Sequence, residues 1–529
     1  MNEEIEEYYE ELYRLYIDEN QPLERRYRQL RESLERVVRE KIQGNSLQTT
    51  DLAARINYVA TQYGLDLKEQ NQLHTFRLTS NDILNHRKSP VKEEFLRDLR
   101  AVAYAYRKMF AQDIPLKLFS VLPKQEIASS GKKEKMEYIR RIRVCFDYAD
   151  DTYLYVHPVD VIADELIRVV YNKPGINHEF EETIKELWRY AQLNLLDVSV
   201  DRDGIYTPSF IVLEPDYLID ISSLAECYKD YGSHPANYFL SRLVPIDNAR
   251  PLLLGNIANL FLDEWIHAGE EEPDYIDCMK KAFRQYPIEL AACAELRDPS
   301  KEKEFAKDCR MHFEHIRDVV QHTFLEPGYN LDKKEAVLEP SYICEALGIQ
   351  GRLDYMQRDM SSFIEMKSGK ADEFSMQGKV EPKENNKVQM LLYMAVLEYS
   401  MGQDRRRMHP YLLYTRYPLL YPARASWAQV RRVINLRNRI VAAEYGVQFH
   451  NHPDFTRNLL AQINPEVVNE RKLSGRFWEQ YLKPSISRFR EKLSALEPLE
   501  QAYFYTLYNF ITKELYTSKS GDVDYEGRA

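Results

Sequence analysis

The stretch of sequence that decides the fold is Gly351 to Gly369, which reads GRLDYMQRDMSSFIEMKSG. From Phe363 to Lys367 apolar and polar residues alternate, and this period of two is typical of a β-strand. Glu365 and Lys367 are two residues apart, so both side chains leave the same face of that strand. The pattern predicts a strand with one apolar face and one face that carries an acid and a base.

A second strand is predicted just upstream, over Ile349–Met356, and it carries Asp354 near its end. The polar residues from Arg358 to Ser362 predict a turn that closes a hairpin between the two strands. Such a hairpin would bring Asp354 to the same end of the sheet as Glu365 and Lys367. Because Glu-x-Lys alone is common on solvated strands, the prediction of a site depends on this added carboxylate and on the helix that follows.

These three side chains suit metal-dependent phosphate chemistry. Two carboxylates bind Mg²⁺ or Mn²⁺ through hard oxygen ligands and leave positions for water and phosphate. A metal ion in such a site acidifies a bound water and neutralises charge on the phosphoryl group. The ammonium group of Lys367 would orient that water, help to deprotonate it or shield the developing negative charge.

The segment Asn386 to Ser400, NKVQMLLYMAVLEYS, has the pattern of a helix, with Gln389 and Tyr393 four residues apart on one face. Asp354, then Glu365-x-Lys, then Gln-x-x-x-Tyr resembles the RecB-like branch of the PD-(D/E)XK nuclease superfamily. The resemblance implies a restriction-endonuclease-like α/β core, in which a central mixed sheet is flanked by helices.

The resemblance also implies a role for each matched position. Glu339 precedes the Gly-x-x-Asp motif, as a glutamate does in that branch. The implied metal ligands are Asp354, Glu365 and the Met366 carbonyl; the implied catalytic and supporting residues are Lys367, Gln389, Tyr393 and Glu339.

Two upstream segments extend the resemblance. Leu218–Leu243 and Leu253–His267 look like the opening of the nuclease domain in the eukaryotic replication nuclease-helicases that trim Okazaki flaps. That branch has Gly-x-x-x-His as its first motif, whereas this chain has Gly255 followed by Asn259. Asn259 is thus an expected metal ligand, with an amide oxygen that would give an altered or weaker site. The alternatives are three histidines of one segment, of which the first also lies on an apolar stripe typical of packed residues: His312, His315 and His322.

Many relatives in that branch hold an iron–sulfur cluster on four cysteines, one before the first motif and three after the Glu-x-Lys strand. Cys227 matches the first position, but the last cysteine of the chain is Cys344. No iron–sulfur cluster is therefore expected, and the lack of a Cys-x-x-Cys pair argues against zinc. Scattered cysteines are typical of thiols in a reducing cytoplasm.

The charge distribution favours a nucleic-acid partner more than the net charge of −11 does. Residues 401–495 contain 17 Lys and Arg against 7 Asp and Glu. A basic surface of this kind would track phosphates, and its binding would weaken with salt; ordinary solvated helix faces are the alternative. The residues expected to contact nucleic acid are Arg405, Arg406, Arg407, Arg431 and Arg432.

At 529 residues, the chain is expected to hold about three domains. Four segments differ in texture: a helical region over 1–115, a small β-rich module with a helix over 116–205, the nuclease domain over 206–445 and a helical stalk over 446–529. Within the module, a helix is predicted over Phe180–Leu195 and a hairpin turn at Asp203-Gly204. The acidic N-terminus does not resemble a signal peptide, and no apolar run is long enough to span a membrane.

The sequence contains no Gly-x-x-x-x-Gly-Lys-[Ser/Thr] motif, so the chain carries no P-loop motor of its own. We therefore expect a cytoplasmic, Mg²⁺- or Mn²⁺-dependent DNA nuclease that acts on single strands or flaps in repair, recombination or defence. A helicase partner or a downstream helicase domain is expected to supply the motor. The alternative is a catalytically weak or inactive DNA-binding or scaffold subunit, which Asn259 in place of histidine favours.

Overall fold

The structure, a computed structural model, describes residues 2–42, 52–123, 137–159, 165–244, 249–329, 331–374, 379–423, 426–450 and 452–520. The chain divides into two compact units. The first comprises residues 1–215, 441–452 and 509–529, and the second comprises residues 216–440 and 453–508. Helices and mixed sheets occur together, so the protein is of the mixed α/β class. Among the described residues, no helix combines the length and apolar character needed to cross a membrane.

The first unit begins with amphipathic helices. In the second of them, apolar residues recur every three or four positions, and Tyr27, Leu30, Leu34 and Val37 are all buried in one core. The charged face of the same helix stays in solvent, which is the pattern expected for a helical domain. The helices are α1 (Asn2–Ile17), α2 (Leu23–Ile42), α3 (Leu52–Gln62), α4 (Leu67–Leu84), α5 (Lys92–Phe110) and α6 (Leu116–Phe119).

A β-barrel follows in the same unit. Its elements are β1 (Tyr138–Ala149), β2 (Tyr153–Pro158), β3 (Ile167–Val170), α7 (Glu181–Lys185), β4 (Gln192–Val200), β5 (Ile205–Thr207) and β6 (Phe210–Leu213). Strand β1 pairs with β2 on one edge and with β4 on the other. Strand β3 pairs in parallel with β5, which also pairs with β4. These pairings close β1, β2, β3, β5 and β4 into a ring, and β6 continues along β4.

The barrel extends the predicted β-rich module past residue 205, to Leu213. The Asp203-Gly204 turn is present, and Gly204 adopts the left-handed φ of +71° that such a turn requires. The helix predicted over Phe180–Leu195 is wrong for most of its length. It stops at Lys185, and β4 begins at Gln192, because the leucines of that segment are buried inside the barrel.

The second unit contains the elements that form the site. They are β7 (Ile219–Asp220), α8 (Ile221–Ala225), α9 (Ala236–Leu243), α10 (Arg250–His267), α11 (Tyr275–Gln285), α12 (Pro287–Ala292), α13 (Pro299–Gln321), β8 (Ala336–Leu338), β9 (Ser341–Cys344), β10 (Ile349–Arg352), β11 (Tyr355–Gln357), β12 (Ser362–Lys367), β13 (Asp372–Phe374), β14 (Lys379–Glu381), α14 (Glu384–Met401), β15 (His409–Tyr414), β16 (Leu419–Pro422), α15 (Trp427–His450), α16 (Pro453–Ala461), α17 (Pro465–Val468), α18 (Lys483–Ser494) and α19 (Pro498–Ser520). Residues of α15 and α19 belong to both units.

A mixed five-stranded sheet, in the order β16-β15-β12-β11-β8, is the centre of this unit. Only β12 and β15 run parallel within it, and the segment that connects them contains α14. Ile364 and Met366 of β12 face a core shared with α10 and α13, whereas Glu365 faces α14. Helices therefore cover both faces of the sheet.

The strand predicted over Ile349–Met356 is two strands in two sheets. Its first half, β10, lies between β7 and β9 in a three-stranded sheet. Its second half, β11, forms the expected hairpin with β12, with Tyr355 opposite Ile364. Asp354 lies at the break, where the chain passes from one sheet to the other. The break sets the position of this carboxylate.

Candidate active site

Asp354 is held against β12 by a backbone contact. The amide N–H of Met366 donates to Oδ2 of Asp354 at 2.7 Å. The hairpin between β11 and β12 thus brings Asp354 beside the Glu365–Lys367 segment, as the sequence pattern predicted. Of Met366, the structure places the N–H on Asp354, while its side chain is buried in the core on the opposite face.

Glu365 and Lys367 form an ion pair on one face of β12. Nζ of Lys367 donates to Oε1 of Glu365 at 2.8 Å, and the Glu365 side chain is 4% exposed against 27% for Lys367. The acid therefore lies at the base of the site, and the ammonium group covers it toward solvent.

Helix α14 supplies a second donor to the same oxygen. Nε2 of Gln389 donates to Oε1 of Glu365 at 2.6 Å. One turn later, the buried hydroxyl of Tyr393 donates to the Arg352 carbonyl at the end of β10. A Cβ atom on Gly351 would lie 3.1 Å from that hydroxyl, so a side chain there would crowd it. The Gly-x-x-Asp and Gln-x-x-x-Tyr motifs thus meet in space.

The electrostatics of the site are unusual for carboxylates. Burial, followed by the charge of Asp354, raises the pKa of Glu365 from 4.5 to about 8. Burial likewise raises the pKa of Asp354, against the opposing effects of Lys367 and the Met366 N–H. Burial disfavours the charge on Lys367, but the Glu365 carboxylate outweighs it and the pKa of Lys367 is raised. Lys367 is therefore an ammonium group at neutral pH and not a free base.

One atom of the site fits a cation directly. Oε2 of Glu365 is buried and has no hydrogen-bond partner among the described residues. A buried carboxylate oxygen left in this state costs free energy, and a divalent cation beside Asp354 would remove that cost. No group of three or more His, Cys, Asp and Glu in the described part of the chain is arranged to hold a metal ion by itself. The donor set therefore fits a hydrated ion held by two carboxylates, as Mg²⁺ prefers.

The face of α10 that carries Gly255 and Asn259 is turned toward this site. A Cβ atom on Gly255 would lie 3.4 Å from the Ser368 hydroxyl, next to Lys367. Asn259 follows one turn later on the same face. It is partly buried, and its side-chain amide makes no hydrogen bond with described residues. This position agrees with the predicted location of the first motif.

Glu339 lies beside Asp354 through the backbone, since its N–H donates to the Asp354 carbonyl at 3.0 Å. Its φ of +49° is left-handed, which is rare for a glutamate and turns the chain sharply there. The carboxylate forms an ion pair with Arg352 at 3.0 Å. Glu339 is thus a neighbour of the site that already has a partner.

Two acidic residues near the site were not singled out from the sequence. Asp263, on α10, lies close enough to the Glu339 and Asp354 carboxylates to interact electrostatically with both. Glu226 accepts from Lys229 at 2.9 Å and from Asn385 at 3.0 Å, and its charge acts on Lys367. Asp263 is four residues after Asn259, and this spacing was the available signal. For Glu226 no local signal exists.

The three histidines of α13 are not part of this carboxylate cluster. His312 is buried, and burial lowers its pKa to about 4. Nδ1 of His315 lies 3.0 Å from the Thr415 carbonyl oxygen. His322 caps the end of the helix. None of the three is among the charged groups that act on Asp354 or Glu365. His312 has the packed position that its apolar stripe indicates.

The arginine run lies at the other end of β12. Arg405–Arg407 form a 3₁₀ turn that leads into β15, and the first residue of β15, His409, pairs with Ser362. Lys367 is five residues along β12 from Ser362, or about 16 Å. The run therefore does not adjoin the carboxylates in space, although it follows the catalytic region closely in sequence.

The charges of this run are partly compensated. Arg406 pairs with Asp404 at 3.1 Å, and Arg405 lies over the Trp427 ring at 4.7 Å and near Glu398. Arg407 is exposed and makes no ion pair among the described residues. On α15, Arg432 is exposed, whereas Arg431 is buried, which argues against Arg431 as part of an open phosphate-binding surface.

All six cysteines are buried, and none forms a disulfide within the described residues. Cys227 lies on the chain segment just after α8, and burial raises its pKa to about 12. A thiol of that kind is inert at neutral pH.

Comparison with known proteins adds no further information on this site. No protein-family model matches the chain. No curated protein matches its sequence. The functional argument therefore rests on the geometry described above.

Proposed function

We propose that this protein is a metal-dependent nuclease of the PD-(D/E)XK superfamily that hydrolyses phosphodiester bonds in single-stranded or flap DNA. The observation that carries the proposal is the convergence on Glu365. Two donors from different elements, Lys367 and Gln389, bind the same oxygen of this buried carboxylate, while its other oxygen is left bare beside Asp354. A purely structural ion pair has no reason to leave that oxygen unsatisfied.

In this proposal Asp354 and Glu365 hold Mg²⁺ or Mn²⁺. When bound, the ion would polarise the phosphoryl group and acidify a water. Gln389 and Lys367 fix the Glu365 carboxylate through Oε1 and keep Oε2 pointed into the site. Lys367, as an ammonium group, stabilises negative charge that develops on the phosphate. Tyr393 holds the backbone at Arg352, two residues before Asp354, and so keeps that carboxylate in place.

The sheet order is consistent with a restriction-endonuclease-like core, because a mixed sheet covered by helices on both faces carries the carboxylates at one end. We further propose that the protein works with a helicase, as a partner or as part of a longer chain, since no P-loop occurs in this sequence.

The barrel of the first unit supports a single-stranded substrate. Its strand order and closed ring are similar to the OB-fold, a small Greek-key barrel that often binds oligonucleotides across strands two and three. On its outer surface Tyr148 and Tyr155 stack at 4.3 Å, and the Arg168 guanidinium lies 5.8 Å over Tyr153. Exposed aromatic rings with arginine are typical of single-strand binding. Asp150, which is nearby, is engaged by its own turn and by the Tyr155 hydroxyl.

The test is cleavage of labelled single-stranded, flap and duplex DNA with Mg²⁺ or Mn²⁺, by the full chain and by Lys367→Ala and Asp354→Ala. We expect metal-dependent cutting of single strands or flaps that both substitutions abolish, with DNA binding retained. Cutting that survives Asp354→Ala would show that the site is elsewhere.

The second candidate function is a DNA-binding or scaffold subunit that has lost turnover. Asn259 in place of a histidine favours it, as does the lack of a three-residue metal group among the described residues. Retained DNA binding without cleavage under any metal would establish this alternative.

A further inference from the structure

The polar stripe of α10 ends in a carboxylate that has no partner. Gly255, Asn259 and Asp263 follow at intervals of four residues, so they share one face of a helix whose other positions are mostly buried and apolar. The first of them contacts the segment after β12 at Ser368. The stripe is therefore directed along the carboxylate site, with Asp263 at its far end.

Asp263 is in an unfavourable environment in the absence of a cation. Its side chain is partly buried, and it makes no hydrogen bond or ion pair with described residues. The carboxylates of Glu339 and Asp354 both act on it, with only His267 in opposition, and burial together with these charges raises its pKa to about 6. Like charges brought together in a half-buried cleft repel each other, and a cation between them relieves the repulsion.

A second, independent observation points to the same cation. Oε2 of Glu365, on a side chain that is 4% exposed, is bare among the described residues. Asp354 lies between the two, since it interacts with both Glu365 and Asp263. The bare oxygen and the unpaired carboxylate thus lie on either side of Asp354.

We propose that Asp263 is the residue of α10 that binds the cation of this site, in the place that the first-motif histidine would fill. Because no three such groups in the described chain converge on one point, Asp263 acts through water that hydrates the ion and is not a third direct ligand. Asn259, a neutral amide one turn earlier, is then secondary. This inference rests on the proposed function and names a further metal-binding residue of it.

The experiment is calorimetric titration of the full chain with Mn²⁺, which needs no DNA and no turnover. The variants are Asp263→Asn, Asp354→Asn and a matched control, Glu264→Gln. Glu264 is the next residue on the same helix, and its carboxylate pairs with Lys281. We expect Asp263→Asn to weaken Mn²⁺ binding about 10- to 100-fold, as loss of an outer-shell partner does. Glu264→Gln should stay within about twofold of the wild type.

Melting in EDTA separates this role from a structural one. Because Asp263 is repelled in the metal-free protein, Asp263→Asn should melt at the same temperature as the wild type or higher, yet gain less from added Mn²⁺. A lower melting temperature in EDTA with unchanged Mn²⁺ affinity would overturn the inference. If Asp263→Asn binds Mn²⁺ as Glu264→Gln does while Asp354→Asn does not, only the role of Asp263 fails. If Asp354→Asn also binds like the wild type, the proposed function fails with it.

Discussion

Gln389 donates to Glu365 at 2.6 Å across 24 residues of sequence, and the oxygen it reaches is the one that Lys367 already holds. The contact joins the face of α14 to the face of β12. It leaves the second oxygen of Glu365 bare, and this asymmetry turns a buried ion pair into a candidate cation site.

Replacing Gln389 with Met keeps the volume of the side chain and removes the donor. We expect Mn²⁺ affinity to fall about 10- to 100-fold, because a residue that orients a metal ligand has been lost. Gln350→Met is the matched control, since Gln350 is on the same unit but binds Asp220 at the surface. Equal Mn²⁺ affinities for the two variants would remove Gln389 from the site.

The high pKa of Glu365 sets a pH dependence. Protonated Glu365 competes with the cation, so Mn²⁺ affinity should rise with pH until about 8 and then level off. In the metal-free protein the folded state keeps a proton between pH 4.5 and about 8 that the unfolded state has released. The contribution of Glu365 to stability therefore falls as pH rises through that window. Urea denaturation in EDTA should show this slope flattened in Glu365→Gln; an unchanged slope would contradict the assignment.

The arginine run should affect binding and not chemistry. Arg405 and Arg406 already have partners, so replacing all three residues of Arg405–Arg407 with Ala should reduce the salt slope of DNA binding by about one phosphate instead of three. Cleavage at saturating DNA should be unchanged, since the run lies about 16 Å along the strand from Lys367. Lys301, Lys303 and Lys307 on the exposed face of α13, changed together to Ala, are the control. Identical salt slopes for both variants would mean that the run is an ordinary solvated surface.

Tyr148 on the barrel provides a test of the single-strand proposal. It is 50% exposed and stacks on Tyr155, so Tyr148→Ala should weaken binding of an oligothymidylate by about 1–3 kcal/mol. Tyr138→Ala, at the other end of β1, is the matched control because Tyr138 is also exposed but hydrogen-bonds Asp197. Fluorescence anisotropy of a labelled strand measures both, and equal affinities would exclude this face of the barrel.

Arg437 has a structural role despite its place in the basic block. It is fully buried and donates to the carbonyl oxygens of Tyr217 at 2.6 Å and Gly348 at 3.2 Å. Arg437→Leu should lower the free energy of unfolding by about 2–5 kcal/mol, because two buried carbonyls lose a donor. Arg432→Leu, on the exposed side of the same helix, should change it little. A urea midpoint that does not move would show that another donor replaces Arg437.

The parts of the site that were predictable from sequence are those fixed by local periodicity. The alternation in β12 set Glu365 and Lys367 on one face, and the four-residue spacing in α14 set Gln389 and Tyr393 on another. The break between β10 and β11 was not predictable, because Ile349–Met356 reads as one strand and the partners that divide it are distant in sequence.

Sequence by itself determined which residue types face together: a period of two on a strand or of four on a helix requires only the bonded neighbours. Tertiary structure alone decided which ends of these elements meet. The parallel pairing of β12 with β15 sends the arginine run to the far end of the strand, and the packing of α10 brings Asp263 to Asp354. Both outcomes depend on contacts between residues far apart in the chain, whose free energy no local pattern records.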